Sequence, residues 1–295
     1  MTSLNSQLGA RLAPGWDAGL EIELARRHGC TRMVHMRHWG PLRVQRPFHP
    51  DGRGEGGSGE CHLYLLHPPG GMVTGDRLAI DIALRDDAHG LLTTPSAGKI
   101  YRGNASAVPQ VQTVNCRVGG DSYLEWLPQE TIVFDGARGE IVTRVALEGG
   151  ARCGIWDIVC LGRPASGERF IAGYLTQTLE LTRAGRPLYR ERNHFAGGSD
   201  LLAAPWGLGG GSVTGTFLLT LGLSREPLAA LREYLAGLSG GEGGQVAVSD
   251  LDGLLAIRYL GHSAEQCRRI FSAAWRRLRP AMCGREAIEP RIWRT

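Results

Sequence analysis

From Leu20 to Leu223 the chain repeats one pattern: a run that alternates apolar and polar residues, a short turn rich in glycine and aspartate, and another such run. In RLAIDIAL, Leu78, Ile80, Ile82 and Leu84 share one face while Arg77 and Asp81 take the other, the period of a half-buried strand. Val111 to Val118 alternates in the same way, Gly119-Gly120-Asp121 turns, and Ser122 to Leu127 returns. The pattern recurs at Ile141 to Leu147 and Ala151 to Leu161 across Gly149-Gly150. It recurs again at Phe170 to Thr182 and Leu188 to Phe195 across Ala184-Gly185-Arg186-Pro187, and at Ser212 to Leu223 after GLGGG. No helical pattern of crossover length separates these strands, which excludes a doubly wound α/β sheet. The expectation is a mainly β protein: a large antiparallel, layered or β-helical body whose successive strands pair as hairpins. Its 43 glycines, mostly paired between apolar runs, sit where such turns belong.

Two helices are predicted in the C-terminal half. Ser224 can cap the first, with Pro227 in its first turn and Leu228, Leu231, Leu235 and Leu238 on one face. After a strand pair, Gln245 to Leu251 and Leu254 to Leu260, Ser263 and Gln266 form a capping-box pattern. Cys267, Ile270, Phe271, Ala274 and Leu278 then share a face, and Pro280 is expected to end the helix. Residues 1–15 read as a flexible tail, and 16–295 as a single β-rich domain with a glycine-rich loop inserted from Asp51 to Glu60.

Several functional classes have no anchor. Seven cysteines, an odd number with no C-x-x-C pair, fit reduced cytoplasmic thiols rather than a disulfide framework. No apolar run reaches the ~20 residues of a membrane helix. A formal charge of +4 with dispersed arginines argues weakly for an acidic protein partner and hardly for nucleic acid. Lys99, the only lysine, follows Gly98, but Gly90 stands too far back for a nucleotide loop and Ile100 replaces the hydroxyl residue that such a loop needs. There is no G-x-S-x-G, H-E-x-x-H or helix-opening G-x-G-x-x-G. Cys61, His62 and His67, or His35 and His38, are the tightest possible metal groupings, but strand geometry turns neighbouring members to opposite faces.

Acids inside apolar runs carry more chemistry. Asp157 lies within Ile155-Trp156-Asp157-Ile158-Val159, Glu125 within Tyr123-Leu124-Glu125-Trp126-Leu127, and Asp76 follows the Pro68-Pro69-Gly70-Gly71 turn. Such acids either face solvent and turns, or line a polar path where carboxylates and hydroxyls like Ser96 offer weak, exchangeable oxygen ligands to a passing cation. Periodicity leaves both readings open.

GPLRVQRPF (Gly40 to Phe48), LLHPPGGMVTGD (Leu65 to Asp76), TTPSAGKIYR (Thr93 to Arg102), LEWLPQETIVFDGA (Leu124 to Ala137), CLGRPASGERF (Cys160 to Phe170), LDGLLAIRYLG (Leu251 to Gly261) and PRIWRT (Pro290 to Thr295) together resemble the urease accessory protein family UreD, also called UreH. The loop at Pro95 to Lys99 departs from the family's P-G-A-T-K, displacing its hydroxyl. The resemblance implies a β-rich cytoplasmic scaffold without catalytic activity of its own. It would bind the helical protein UreF, reach the GTPase UreG through it, and dock in two copies on apo-urease to deliver nickel. No metal would be held stably, and nickel would be in transit through an internal channel. Candidate residues of that path are Asp76, Ser96, Glu125, Glu130, Asp135, Asp157 and Glu191. Candidate turn or interface residues are Pro68, Pro69, Gly70, Gly71, Lys99, Arg102 and Trp293. Competing readings are a β-rich hydrolase or transferase using Lys99 or a carboxylate, and a polyanion binder using the arginines.

Overall fold

The computed structural model describes residues 15–52, 59–240 and 243–294; the expected tail, but for Gly15, and part of the glycine-rich loop lie outside them. Among the described residues the strands are β1 (Asp17–Arg27), β2 (Cys30–Trp39), β3 (Arg43–Val44), β4 (Cys61–Leu66), β5 (Arg77–Arg85), β6 (His89–Thr93), β7 (Gly98–Ile100), β8 (Gln110–Val118) and β9 (Tyr123–Trp126). They continue as β10 (Thr131–Val133), β11 (Arg138–Leu147), β12 (Arg152–Leu161), β13 (Tyr174–Arg183), β14 (Arg186–Ala196), β15 (Val213–Leu219), β16 (Gln245–Asp250) and β17 (Leu255–Gly261). The helices are α1 (Asp200–Ala203), α2 (Arg225–Ser239) and α3 (Ala264–Cys283).

The strands form two facing sheets. One runs β14-β13-β11-β8-β5-β1-β2; the other runs β16-β17-β15-β12-β9-β6-β4-β3, with β10 and β7 attached beside β12. The mainly β, layered expectation holds, but the antiparallel one is corrected. Between β5 and β13 the chain places a long strand in the first sheet, crosses to the second, and returns, so that β5, β8, β11 and β13 are parallel neighbours. Strands β4, β6, β9 and β12 are likewise parallel in the other sheet. The Gly119-Gly120-Asp121 and Gly149-Gly150 turns are therefore arches between sheets and not hairpins within one. An alternating strand followed by a tight turn reads identically in both cases, because the period reports only that one face is buried. The arches stack on one another through backbone bonds, Gly119 N–H donating to the Leu84 carbonyl and Glu148 to Val118, and the β13/β14 hairpin turn caps the stack with Ala184 donating to Leu147, each at 2.9 Å. True hairpins remain at the ends, where β1/β2, β13/β14 and β16/β17 pair antiparallel.

The main core lies between the sheets and a second core lies between the outer face of the second sheet and α2 and α3. Strand β12 is buried on both faces, which explains its nearly continuous apolar run. Its Ile155 and Val159 enter the inter-sheet core, whereas Trp156, Ile158 and Cys160 meet the helical layer. There Trp156 packs against Phe217 at 5.4 Å and Phe271 at 6.1 Å between ring centres. Ser263 caps α3 by accepting from Gln266 N–H. Pro280 does not end the helix, which continues to Cys283 and closes with Gly284 in the left-handed region. A proline removes one donor within the last turn but leaves its own carbonyl free to accept from Gly284.

Candidate functional site

Because β12 alternates, Asp157 shares the inter-sheet face with Ile155 and Val159. Register carries that polar level sideways: Asp157 pairs with Thr216 on β15, and Thr216 with Arg258 on β17. On the facing sheet, Gln177 of β13 pairs with Asn193 of β14, and Glu191 lies two residues away on the same face. Asn193 Nδ2 donates to Gln177 Oε1 at 3.1 Å and to Glu191 Oε1 at 2.7 Å. Thr216 Oγ1 crosses between the sheets to Glu191, 3.1 Å from Oε2. Tyr189 O–H donates to the same Oε2 at 2.5 Å, and Arg258 Nη2 donates to the Tyr189 oxygen at 3.1 Å.

Asp157 is the anomalous member. Its side chain is only 8% exposed, and its Oδ2 has no hydrogen-bond partner. Burial pushes its carboxyl up to about 6; Gln177 opposes this by hydrogen-bonding the charged form, and the nearby Glu191 charge adds to the rise. An unpartnered carboxylate oxygen inside an otherwise satisfied layer is an unused acceptor for a proton or a cation.

Asp157 also closes one end of a small cavity of about 60 Å³ lined by Gln112, Gln129, Thr131 and Thr143. That cavity shares Thr94, Gly98, Gln112 and Thr131 with a larger one of about 290 Å³. The larger cavity opens among Pro68, Gly70, Gly71, Ser96 and Lys99, so the structure brings these candidates to one mouth. Gly70 has φ of 76°, and a Cβ on Gly71 would stand 2.8 Å from that of Lys99 and 2.5 Å from the Tyr101 ring. The turn thus needs glycine at both positions. At the opposite side, beyond Thr216, Glu191 and Arg258 line a third cavity of about 470 Å³ open to solvent.

The remaining acids stand apart from this level. Asp76 accepts from Trp16 N–H at 2.7 Å and Val73 N–H at 2.8 Å, pinning the turn after Gly71. Asp135 accepts from Ile171 and Ala172 N–H at 2.8 Å and from Arg102 at 2.7 Å. Glu130 pairs with Arg268 of α3 at 3.0 Å. Trp293 turns inward: its N–H donates to Thr93 Oγ1 at 2.9 Å, and its ring packs tilted against Trp156 and edge-on to Trp275.

Glu125 belongs to a separate buried group that sequence reasoning did not assemble. Its carboxylate receives Arg279 Nε at 3.0 Å, Trp275 Nε1 at 2.5 Å, Tyr123 O–H at 3.2 Å, and faces His89 Nε2 at 3.2 Å. Arg279 Nη2 also reaches Glu60 Oε2 at 2.6 Å, and Glu60 Oε1 lies 2.8 Å from His62 Nε2. Burial alone would raise both carboxyls. Hydrogen bonds from the histidines and the Arg279 charge override it, holding Glu60 down at about 2 and Glu125 well below the usual range. This group fastens α3 to β6 and β9 and leaves no carboxylate oxygen open as at Asp157. Among the described residues no three His, Cys, Asp or Glu side chains form a metal-holding group, and no helix is long and apolar enough to cross a membrane. Gln177, Asn193, Thr216 and Arg258 were not identifiable from sequence: each is an ordinary polar residue at an ordinary strand position.

The family model for the UreD urease accessory protein matches residues 17–294. Urease accessory protein UreD of Saccharophagus degradans is 44% identical over 98% of this chain and 97% of its own. UreD of Pseudomonas fluorescens is 45% identical over 97% and 98%, respectively. UreD of Dechloromonas aromatica is 43% identical over 96% of each.

Proposed function

Because this chain belongs to the UreD urease accessory protein family, we propose that it links a UreF–UreG complex to apo-urease and passes nickel through the polar level between its sheets. Its family consists of non-catalytic maturation factors for the nickel centre of urease, so the hydrolase and transferase readings fall away. Nickel is cargo here. On this reading the chain acts in the cytoplasm as one β-rich domain spanning 16–295, with UreF bound directly, UreG held through UreF, and two copies in the assembled complex. Neither nucleic acid nor a membrane is a partner.

The observation that carries the path is the unpartnered Asp157 Oδ2 between two cavities, with Glu191 and Thr216 continuing the level beyond it. Ser96 at the mouth beside Lys99, then Asp157, Gln177, Thr216 and Glu191, provide oxygen donors scattered over several strands. Such donors bind a divalent ion weakly, unlike a closed cysteine and histidine site whose affinity of ~10 kcal/mol or more would trap the cargo. Asp76, Asp135, Glu125 and Glu130 serve this path indirectly, by holding turns and α3 in place. Glu191→Gln combined with Asp157→Ala is expected to lower the nickel content and activity of urease while the accessory complex still assembles. Full nickel loading by the double variant would remove the path, and normal urease activity after deletion of the gene would remove the maturation role itself.

A further inference from the structure

Arg258 stands where the polar level meets solvent. It is on the inter-sheet face of β17, one strand from Thr216 and two from Asp157. Unlike Arg279, locked between Glu60 and Glu125, Arg258 makes no ion pair among the described residues. Its guanidinium instead donates to Tyr189 O–H, which in turn donates to Glu191. Its positive charge is thus relayed to the carboxylate that a cation on this level would use, without occupying that carboxylate's oxygens. The guanidinium lies on the wall of the open cavity beside Thr214 and Thr216, so a departing ion passes it.

Resting on the path reading above, we infer that Arg258 sets how weakly the inter-sheet level holds a divalent cation: a fixed positive charge that competes with the metal for the field of Glu191 and prevents retention at the exit. Two carboxylates, Asp157 and Glu191, would together balance a doubly charged ion and hold it. The Arg258 guanidinium adds a third positive charge against two carboxylates and makes the loaded site overcharged, and like charges in a partly desolvated space repel strongly. Arginine suits this role better than lysine because its guanidinium stays charged at every physiological pH and hydrogen-bonds Tyr189 in a fixed direction. The cation class is a partly hydrated divalent ion with a preference for oxygen donors, since every neighbouring polar side chain offers oxygen or amide.

The test is nickel chloride titration of the full-length chain by calorimetry, with the same variants assayed for delivery to urease. Arg258→Met is expected to tighten nickel binding by about tenfold or more, a change of ~1.4 kcal/mol at the least, and to slow delivery at limiting nickel. Arg258→Lys is expected to restore weak binding, and Arg258→Glu to tighten it further. Because Arg258 is solvent-exposed, all three should fold, as thermal melts would verify. If Arg258→Met and Arg258→Glu bind nickel no more tightly than the parent while Glu191→Gln still impairs delivery, the path stands and the role of Arg258 is overturned. If Glu191→Gln and Asp157→Asn leave delivery intact, the path falls and this role with it.

Discussion

Replacing Asp157 by asparagine should stabilise the protein while impairing it. The carboxyl rises from 3.8 to about 6 because it is buried with one oxygen unpartnered. At ~1.36 kcal/mol per pH unit, holding the ionised form in the fold costs about 3 kcal/mol above pH 7. Asparagine keeps the shape, removes the charge, and introduces an amide that must find an acceptor among Gln177 and its neighbours, a loss of about 1 kcal/mol or more. The net gain is about 1–2 kcal/mol, a rise in melting temperature of roughly 2–6 °C for a chain of this size. The sign with pH follows from the direction of the shift. A raised carboxyl destabilises the fold most fully above its folded value of about 6, and the penalty fades as pH falls toward 3.8, where the unfolded chain also becomes protonated. Thermal melts of both proteins from pH 8 to pH 4.5 should therefore show the gap closing, by about 1.5 kcal/mol between pH 7.5 and pH 5. Other titrating groups are common to both proteins and cancel. An asparagine variant less stable than its parent at pH 7.5, or a gap that does not change with pH, would refute the reasoning. The same variant should deliver less nickel, since it lacks the unpaired oxygen; greater stability with weaker delivery would mark Asp157 as retained for its chemistry.

Arg279→Met should cost about 3–5 kcal/mol, because it strands Glu60 and Glu125 as uncompensated buried charges. In the parent these depressed carboxyls contribute stability above about pH 4.5 that is lost as pH falls toward 2, so the gap between variant and parent should narrow in acid, and adding Glu125→Gln should recover part of it. Chemical denaturation at pH 7 and pH 4 checks both points. Asp76→Ala removes the acceptor for Trp16 and Val73 N–H and should destabilise by about 2–3 kcal/mol. Loss of nickel delivery with an unchanged melting temperature would show that Asp76 acts on the ion directly.

The features visible in the sequence were those fixed by local period and capping: the strands, the amphipathic faces of α2 and α3, and the Ser263 cap. Pairing was not visible, because an arch between sheets and a hairpin within one require the same short turn and the same alternation. What separates them is where the next strand goes: after the Gly119-Gly120-Asp121 and Gly149-Gly150 turns it joins the other sheet, with Gly119 and Glu148 donating to the previous arch. The same gap hid the site. Asp157 stood out as an acid in an apolar strand run, but β12 is apolar on both faces, so its period could not tell whether Asp157 looked toward the facing sheet or toward α3. Gln177, Asn193 and Thr216 become a level only when the antiparallel β13/β14 and β12/β15 pairings align them across separate strands. Arg279 lies off the apolar face that the helical period marks, yet it joins carboxylates 219 and 154 residues away. A coiled two-sheet body makes function a matter of which residues share a height between the layers, and height is a property of pairing. Charge at an inward position could therefore nominate Asp157, whereas the uncharged neighbours that complete its surroundings had to await the register.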